Sequence, residues 1–181
     1  MTKSDDEILD LICRDGQIET GFRLLMQKYQ EKIYWHIRRI VLNHEEANDV
    51  VQNTFIKVYK NIDRFEGKSK LYTWIYRIAT NEAISHKKRS KQMFSLDQEE
   101  GNIVNTLKAD EYFDGSAIQA HLFAALETLP EKQRVVFQMR YFDEISYRDL
   151  SSVLDTSEGA LKASFHHAVK KIESYFSTID V

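Results

Sequence analysis

The sequence is poor in the residues and runs that disulfides, exported domains and membrane spans require. Cys13 is the only cysteine, so the chain cannot form an internal disulfide or a zinc site built from cysteines. No apolar run approaches the roughly 18 residues of a membrane-spanning helix, and the acidic N-terminus lacks the apolar core of a signal peptide. We therefore expect a protein that works in the reducing cytoplasm and does not insert into a membrane.

Helix-breaking residues are also scarce, which indicates the fold class. Pro130 is the only proline, and the six glycines fall near predicted helix ends and loops. Few segments alternate apolar and polar residues as strands do, whereas apolar residues recur at helical spacing along the chain. The pattern predicts an all-α fold of two small helical domains joined by a flexible linker, with a helix-turn-helix in the C-terminal domain.

The periodicity changes along the chain and divides it into three parts. Residues 1–91 are predicted to form the first domain. Its expected helices cover residues 5–13, 19–42, 45–61 and 71–91. Residues 92–115 have no sustained period and carry many carboxylates, so we interpret them as an acidic, flexible linker. Residues 116–181 form the second domain, whose first helix is expected at 117–129.

Charge is segregated along the chain, although the total is nearly balanced. The 25 Lys and Arg residues against 28 Asp and Glu residues give a net charge of −3, which argues against a protein that coats nucleic acid non-specifically. Residues 63–91 nevertheless carry eight basic and three acidic side chains, whereas residues 97–114 carry one basic and six acidic side chains. The first of these segments is therefore the candidate for binding a polyanion.

The segment 126–172 has the pattern of a helical platform followed by a helix-turn-helix. The cap-forming residues 155–158 interrupt its apolar periodicity, which predicts a turn between two short helices. The apolar positions expected to be buried are Val135, Val136, Met139, Leu150, Val153, Leu154, Leu161 and Phe165. The polar side chains expected to face solvent are Lys162, Ser164, His166 and His167. Such groups reach base edges and phosphates, but this pattern is equally typical of purely structural helical domains.

The helix around residues 49–55 has one apolar and one polar face. The apolar positions, assigned to the core, are Ala47, Val50, Val51, Thr54, Phe55 and Val58. The polar positions are Asp49, Gln52, Asn53 and Lys57. By itself, such a face is most often a solvated surface. The alternative is a docking face whose carboxylate and amide oxygens accept hydrogen bonds from a basic partner helix.

Aromatic and basic residues are interleaved between residues 67 and 91. They are Tyr72, Trp74 and Tyr76 with Lys68, Lys70 and Arg77, followed by the basic cluster Lys87–Lys91. Flat rings can stack on unpaired bases while cations hold the phosphates. Ile75, Ile78 and Ala79 are assigned to the core, and Trp74 fits either role. We interpret the basic cluster as part of a nucleic-acid site rather than as a solvated helix end.

No catalytic or metal-binding constellation can be identified. The sequence contains neither a nucleophile elbow nor a glycine-rich phosphate loop. His166 and His167 are adjacent on a helix and point in different directions, which makes them a poor metal pair. His36, His44 and His121 are isolated and are expected to be ordinary surface or core residues. We therefore predict no enzyme activity, no cofactor and no metal.

Three motifs occur in a fixed order along the chain. They are DVVQNTFIKVY at 49–59, LYTWIYRIATNEAISHKKR at 71–89 and LPEKQRVVFQMRYFDEISYRDLSSVLDTSEGALKASFHHAVKKI at 129–172. In this order and spacing, with a short linker between the second and the third, they resemble the bacterial RNA polymerase sigma factors of the extracytoplasmic-function (ECF) type. The resemblance extends over residues 22–91 and 117–172, which is most of the chain.

The resemblance implies a function and a role for each motif. A member of this family binds core RNA polymerase, recognises the −10 and −35 promoter elements and helps to open the duplex. The residues implied in binding the β′ clamp helices are Asp49, Gln52 and Asn53. Those implied at the −10 element are Lys68, Ser69, Tyr72, Trp74, Arg77 and Asn81, with Lys87, Lys88 and Arg89 on phosphates. Those implied at the −35 element, on a recognition helix at 157–171, are Ser157, Lys162, Ala163, Ser164, His166, His167, Lys170 and Lys171.

The resemblance also implies partners. They are core RNA polymerase, through the β′ clamp helices and the β flap, promoter DNA, and an anti-sigma factor that covers these surfaces. The acidic linker would thread toward the active-site and RNA-exit channels of the polymerase.

Two other classes of protein remain open. A stand-alone helix-turn-helix regulator would bind duplex DNA without polymerase, but it gives no reason for the polar face at Asp49 or for the aromatic and basic helix. An adaptor that keeps the fold without a role in transcription would not need Trp74 and the basic cluster.

Overall fold

The computed structural model describes residues 3–94, 104, 105, 107 and 116–179. Within these residues the chain forms eight α-helices and no strand, so the all-α prediction is confirmed. The chain divides into two compact units, Met1–Lys87 and Lys88–Val181.

The first unit is built from helices that lie close to the predicted ranges. They are α1 (Asp5–Cys13), α2 (Ile18–Val41), α3 (His44–Asn61), a short 3₁₀ turn (Ile62–Arg64) and the start of α4 (Leu71–Phe94). Local caps fix several of these ends. Ser4 and Glu7 form a capping box at the start of α1, and the side chain of Asn43 accepts a hydrogen bond of 2.9 Å from the Glu46 backbone at the start of α3.

The packing of α1 on α2 depends on Gly21. A Cβ atom on this residue would lie 2.5 Å from Ile12 Cγ1 and 3.2 Å from the Ile8 carbonyl oxygen. The absence of a side chain therefore lets the two helix backbones approach closely, and Ile8 and Ile12 are buried. At the start of α1, Asp5 accepts a hydrogen bond of 2.7 Å from the Tyr29 hydroxyl of α2.

A buried polar contact joins α2 to α4 in the core of the first unit. His36 is 1 % exposed, and its Nε2 lies 2.9 Å from the Thr80 hydroxyl oxygen. The Thr80 hydroxyl donates its single hydrogen to the Tyr76 carbonyl, so His36 Nε2 is the donor in the contact with Thr80. His36 is thus a core residue that links two helices, which agrees with one of the two ordinary roles expected for it.

In the second unit, residues 116–179 form a platform and the predicted helix-turn-helix. Its helices are α5 (Ala117–Glu127), α6 (Glu131–Tyr141), α7 (Tyr147–Leu154) and α8 (Glu158–Phe176). α5 ends two residues before the predicted boundary at Leu129, because the residue that precedes a proline is disfavoured in the helical conformation. The platform is formed by α5 and α6, and α8 packs against it. The buried core between these helices contains Ala125, Leu126, Leu129, Phe137, Ala168 and Ile172.

Most of the apolar positions predicted from the helix-turn-helix pattern are buried. Leu154 and Phe165 are half-buried, and Phe165 packs against the buried core. The fully buried positions are Val135, Val136, Met139, Leu150, Val153 and Leu161.

Candidate docking and nucleic-acid surfaces

Helix α3 has the two faces that its sequence predicts. All of the residues assigned to its core face are buried, namely Ala47, Val50, Val51, Thr54, Phe55 and Val58. Asp49, Gln52 and Asn53 are exposed, and their spacing of three and four residues brings them together on one side of the helix. We call these three residues the polar triplet. Lys57, also predicted on this face, forms an ion pair with Glu82 of α4.

A groove between α2 and α3 adjoins the polar triplet. It has a volume of about 410 Å³ and is lined by Phe22, Met26, Gln30, Asn48, Val51, Gln52, Phe55, Ile56 and Tyr59. Gln52 belongs to both features. Ile56 and Tyr59 are 44 % and 49 % exposed, and both line the groove, so their apolar area belongs to one surface rather than to isolated positions.

This groove was not predicted from the sequence. Ile56 and Tyr59 belong to the motif at 49–59, but neither fits the core periodicity of α3 or its polar face. That mismatch was the available signal, since an apolar residue off the buried face of an amphipathic helix marks a possible contact surface.

The loop before α4 and the first turns of α4 bring aromatic and polar side chains together. Trp74 is half-buried, and its ring centroid lies 5.4 Å from that of Phe65 in the loop. Arg77 and Asn81 are exposed and follow Trp74 at a spacing of three and seven residues, on the same side of α4. Trp74 is thus neither fully buried nor freely exposed. The sequence left open whether it belongs to the core or to a nucleic-acid site, and this intermediate position is compatible with either role.

The remaining candidates near the start of α4 differ in their surroundings. Lys68 is exposed and forms an ion pair with Glu66, and Ser69 is half-buried. Tyr72 is half-buried, with the Lys70 ammonium 5.5 Å from its ring centroid. Tyr76, in contrast, is buried and packs on the His36 ring at 4.9 Å, so it belongs to the core of the first unit.

The basic cluster near the end of α4 is not uniform. Lys87 is half-buried, and its ammonium donates a hydrogen bond of 2.9 Å to the carbonyl oxygen of Ile40 in the last turn of α2. Helix C-termini leave carbonyl groups without partners inside the helix, and a cation suits this negative end of the helix dipole. Lys88 and Arg89 are exposed. The prediction that all three hold phosphates therefore meets competing contacts at Lys87 and at Lys88, whose ammonium pairs with the Glu131 carboxylate at 3.1 Å.

The core assignments within α4 mostly agree with the structure. Ile75 and Ala79 are fully buried, whereas Ile78 is half-buried at the edge of the packed face. The predicted linker at 92–115 falls mainly outside the described residues. Within that range α4 continues to Phe94, and Val104 and Leu107 are buried.

In the second unit, α8 presents most of its candidate residues to solvent. Ser157 is the N-cap, and its side chain accepts a hydrogen bond from the Ala160 backbone. Ser164 is half-buried, and its hydroxyl donates to the Ala160 carbonyl at 2.8 Å, so it faces its own helix backbone. The exposed candidates are Lys162, Ala163, His166, His167, Lys170 and Lys171.

Tyr147, the first residue of α7, lies beside these candidates and was not identified from the sequence. The Arg140 guanidinium carbon is 5.2 Å from the Tyr147 ring centroid, and the Lys162 ammonium is 5.7 Å from it. The ring also meets Phe165 edge-on at 6.5 Å. Only the fold could reveal this cluster, since its members come from α6, α7 and α8.

No described helix is long and apolar enough to cross a lipid bilayer. Nor do three or more His, Cys, Asp or Glu side chains in the described part of the chain come together as ligands of one metal ion.

Family models match both units of the chain. The model for sigma-70 region 2 matches residues 25–92, and a model for sigma-70 region 4 matches residues 121–172. The first match contains α3 and the start of α4, and the second contains the helix-turn-helix.

The chain is also similar to curated sigma factors over most of its length. It is 30 % identical to the ECF RNA polymerase sigma factor SigW of Bacillus subtilis, over 82 % of this chain and 84 % of that protein. It is 29 % identical to the RNA polymerase sigma-H factor of Pseudomonas aeruginosa, over 94 % and 93 %. It is 28 % identical to the ECF RNA polymerase sigma-E factor of Escherichia coli K12, over 93 % of each chain.

Solved structures share the fold at lower sequence identity. The sigma factor RpoE from Bartonella quintana, solved with the anti-sigma factor NepR, has a TM-score of 0.69 and 21 % identity, over 88 % of this chain and 98 % of that chain. CnrH, solved with the cytosolic domain of CnrY, has a TM-score of 0.74 and 18 % identity, over 98 % and 100 %. Two sigma-70 regions in the family's order, together with relatives that match nearly end to end, show that this chain belongs to the ECF type of RNA polymerase sigma factors, which direct transcription from promoters and are not themselves enzymes.

Proposed function

We propose that this sigma factor docks on the basic β′ clamp helices of core RNA polymerase through α3. The observation that carries the proposal is the position of the polar triplet beside the apolar groove. Asp49, Gln52 and Asn53 offer carboxylate and amide oxygens that accept hydrogen bonds from arginine or lysine. Ile56 and Tyr59 offer apolar area, and the two kinds of surface together give an interface both affinity and orientation.

The measurement that tests this docking surface is the affinity of the full-length protein for core polymerase. The double variant D49A/Q52A is expected to bind roughly tenfold more weakly or worse, as interface hot spots do on truncation. The variant Y59A separately tests the groove. A matched control is D15A/Q17A, which removes an exposed acid and an exposed amide from the loop between α1 and α2. Unchanged affinity of D49A/Q52A and Y59A, with the control also unchanged, would reject this surface.

The proposed role of the loop before α4 and of α4 itself is to capture unpaired bases of the −10 element. Trp74 with Phe65 gives an aromatic platform, and Arg77 and Asn81 lie on the same side of α4. Lys68, Ser69 and Tyr72 lie nearby in sequence, and the exposed Lys88 and Arg89 supply cations for phosphates. Captured bases stack on the rings, which offsets the stacking that they lose in the duplex.

Promoter melting by the holoenzyme tests this role. The variant W74A is expected to open duplex promoter DNA poorly, as reported by a fluorescent base analogue in the −10 element. A template whose −10 region is already mismatched should recover part of the activity, because the cost of unpairing has been removed. W35A is the matched control, since Trp35 lies on α2 and is 46 % exposed. Equal melting by W74A and W35A would reject the role of Trp74.

In the second unit, α8 is proposed to enter the major groove of the −35 element. Its exposed Lys162, His166 and His167 are groups that reach base edges and phosphates, and Lys170 and Lys171 extend the basic side of the helix. Ser157 and Ser164 are engaged with the backbone of α8, so their proposed contacts to DNA would use the remaining capacity of each hydroxyl.

The proposal also includes partners beyond DNA and the β′ clamp helices. The second unit is proposed to contact the β flap of the polymerase. An anti-sigma factor is proposed because two structures with this fold were solved with protein partners, NepR, an anti-sigma factor, and the cytosolic domain of CnrY. A sigma factor acts where the polymerase is, so the proposed location is the cytoplasm.

A further inference from the structure

We infer that Tyr147 is a positioning residue for Lys162, and that the aromatic ring of Tyr147 aligns the Lys162 ammonium for promoter contact. This inference rests on the proposed role of α8 at the −35 element. Tyr147 is the first residue of α7, so the proposed positioning residue lies outside the recognition helix α8.

The geometry around the ring supports the inference. The Lys162 ammonium lies 5.7 Å from the Tyr147 ring centroid, within the range in which the negative face of an aromatic ring attracts a cation. Lys162 is otherwise an exposed, flexible side chain near the start of α8. A contact that restricts its conformations before binding lowers the entropy that is lost when the ammonium meets DNA.

The ring is itself held in place by its neighbours. Phe165 of α8 meets it edge-on at 6.5 Å, and the Arg140 guanidinium carbon lies 5.2 Å from its centroid. Arg140 is fixed in turn, because it donates a hydrogen bond of 3.2 Å to the Ile145 carbonyl. Tyr147 therefore connects the platform helix α6 to the recognition helix α8. The cations of Arg140 and Lys162 both interact with its ring.

The role of the ring can be separated from the role of the hydroxyl group and from simple packing. Y147F keeps the aromatic face and loses only the hydroxyl. Y147L keeps an apolar side chain of comparable size against Phe165 but has no aromatic face for the cation. We expect Y147F to behave like the unchanged protein and Y147L to be defective.

The experiment measures the affinity of the reconstituted holoenzyme for a promoter fragment by fluorescence anisotropy, at several salt concentrations. Y147L should weaken binding about two- to fivefold, the equivalent of one exposed cation–π contact. K162M should weaken binding and reduce the salt dependence by about one released counterion. In the K162M background, Y147L should cause no further loss, because the interaction partner is gone.

A spectroscopic readout accompanies the affinities. The ε-methylene protons of Lys162, next to the ammonium that lies 5.7 Å from the Tyr147 ring centroid, should resonate upfield in the free protein. They should stay upfield in Y147F and lose the shift in Y147L. A Lys162 signal without an upfield shift in the unchanged protein would show that this side chain does not rest on the Tyr147 ring, and it would overturn the inference.

Each outcome decides the matter. The inference would be overturned if Y147L weakened promoter binding equally with and without Lys162. It would also be overturned if Y147L left the affinity unchanged while K162M clearly weakened it. In both cases the proposed role of α8 would stand. If K162M itself had no effect on affinity or salt dependence, the proposed −35 contact of Lys162 would fail, and the inference would fail with it.

Discussion

In α4, residues of the same type that lie close together in the sequence have different structural roles. Lys87 donates to the Ile40 carbonyl at the end of α2, whereas Lys88 next to it is exposed. Tyr76 packs in the core against His36, whereas Tyr72 is half-buried with a lysine near its ring. The direction in which each residue leaves the helix, rather than its chemistry, separates those that hold the fold from those that can meet a ligand.

The hydrogen bond from Lys87 to the end of α2 can be removed by a single substitution. Replacing Lys87 by methionine keeps the aliphatic stem and removes the ammonium, so the Ile40 carbonyl loses its donor. We expect K87M to lower the free energy of unfolding by about 1 kcal/mol, as for a typical hydrogen bond. Urea unfolding followed by circular dichroism would measure it. R89M is the control, because Arg89 is exposed and removing its charge should leave stability unchanged. Equal stability of K87M and R89M would contradict the structural role of Lys87.

Tyr29 gives a prediction about pH. Burial, and then the hydrogen bond to the Asp5 carboxylate, raise the pKa of the Tyr29 hydroxyl above its ordinary value. The folded protein therefore holds this proton more tightly than the unfolded chain does. The stability that follows is fully present below the unfolded pKa of about 10, and it is lost as the pH rises above that value.

The variant Y29F isolates this contribution because it keeps the ring and removes the ionisable group. Between pH 8 and pH 11, unfolding midpoints in urea should fall more steeply for the unchanged protein than for Y29F. Identical slopes in the two proteins would mean that Tyr29 ionises as easily in the folded state as in the unfolded chain.

At the scale of helices, the contact of α1 with α2 depends on a single glycine. Alanine normally stabilises a helix interior relative to glycine by about 1 kcal/mol. At Gly21, however, a Cβ atom would lie 2.5 Å from Ile12 Cγ1, so α1 must shift or Ile12 must leave its rotamer. We expect G21A to destabilise the first unit by about 1–3 kcal/mol, as overpacked cores do.

The control for G21A is another helical glycine. A Cβ atom on Gly159 in α8 would have no heavy atom within 4 Å, so G159A should be neutral or slightly stabilising. Thermal unfolding of the two variants compares the sites directly. A stabilised G21A protein would contradict the close packing of α1 on α2.

Helix positions could be predicted well from the sequence because their signals are local. Asn43 caps α3 as its side chain and position indicate, and the period of α3 identifies all of its buried positions. The groove beside the polar triplet and the cluster around Tyr147 could not be predicted. Each combines residues from different helices, such as Phe22 with Tyr59, and a single sequence carries no signal for such pairing.

At the scale of the whole molecule, the chain carries sigma-70 regions 2 and 4 with little net charge. The total of −3 gives weak attraction to the phosphate backbone, although residues 63–91 are basic. We expect the free protein to bind duplex promoter DNA weakly and with little sequence preference. The holoenzyme should bind the same fragment tightly and specifically. Anisotropy titrations with and without core polymerase compare the two states, and specific tight binding by the free protein would favour a stand-alone regulator.

The central claim is that this protein directs core polymerase to promoters through the residues named on α3, α4 and α8. Run-off transcription of genomic fragments from the source organism, with core polymerase and with or without the protein, tests it most directly. We predict discrete transcripts that require the protein, that fade with D49A/Q52A, W74A and K162M, and that persist with D15A/Q17A and W35A. The account would be contradicted by a folded protein that yields no transcript, or by transcripts that the first three variants leave unchanged.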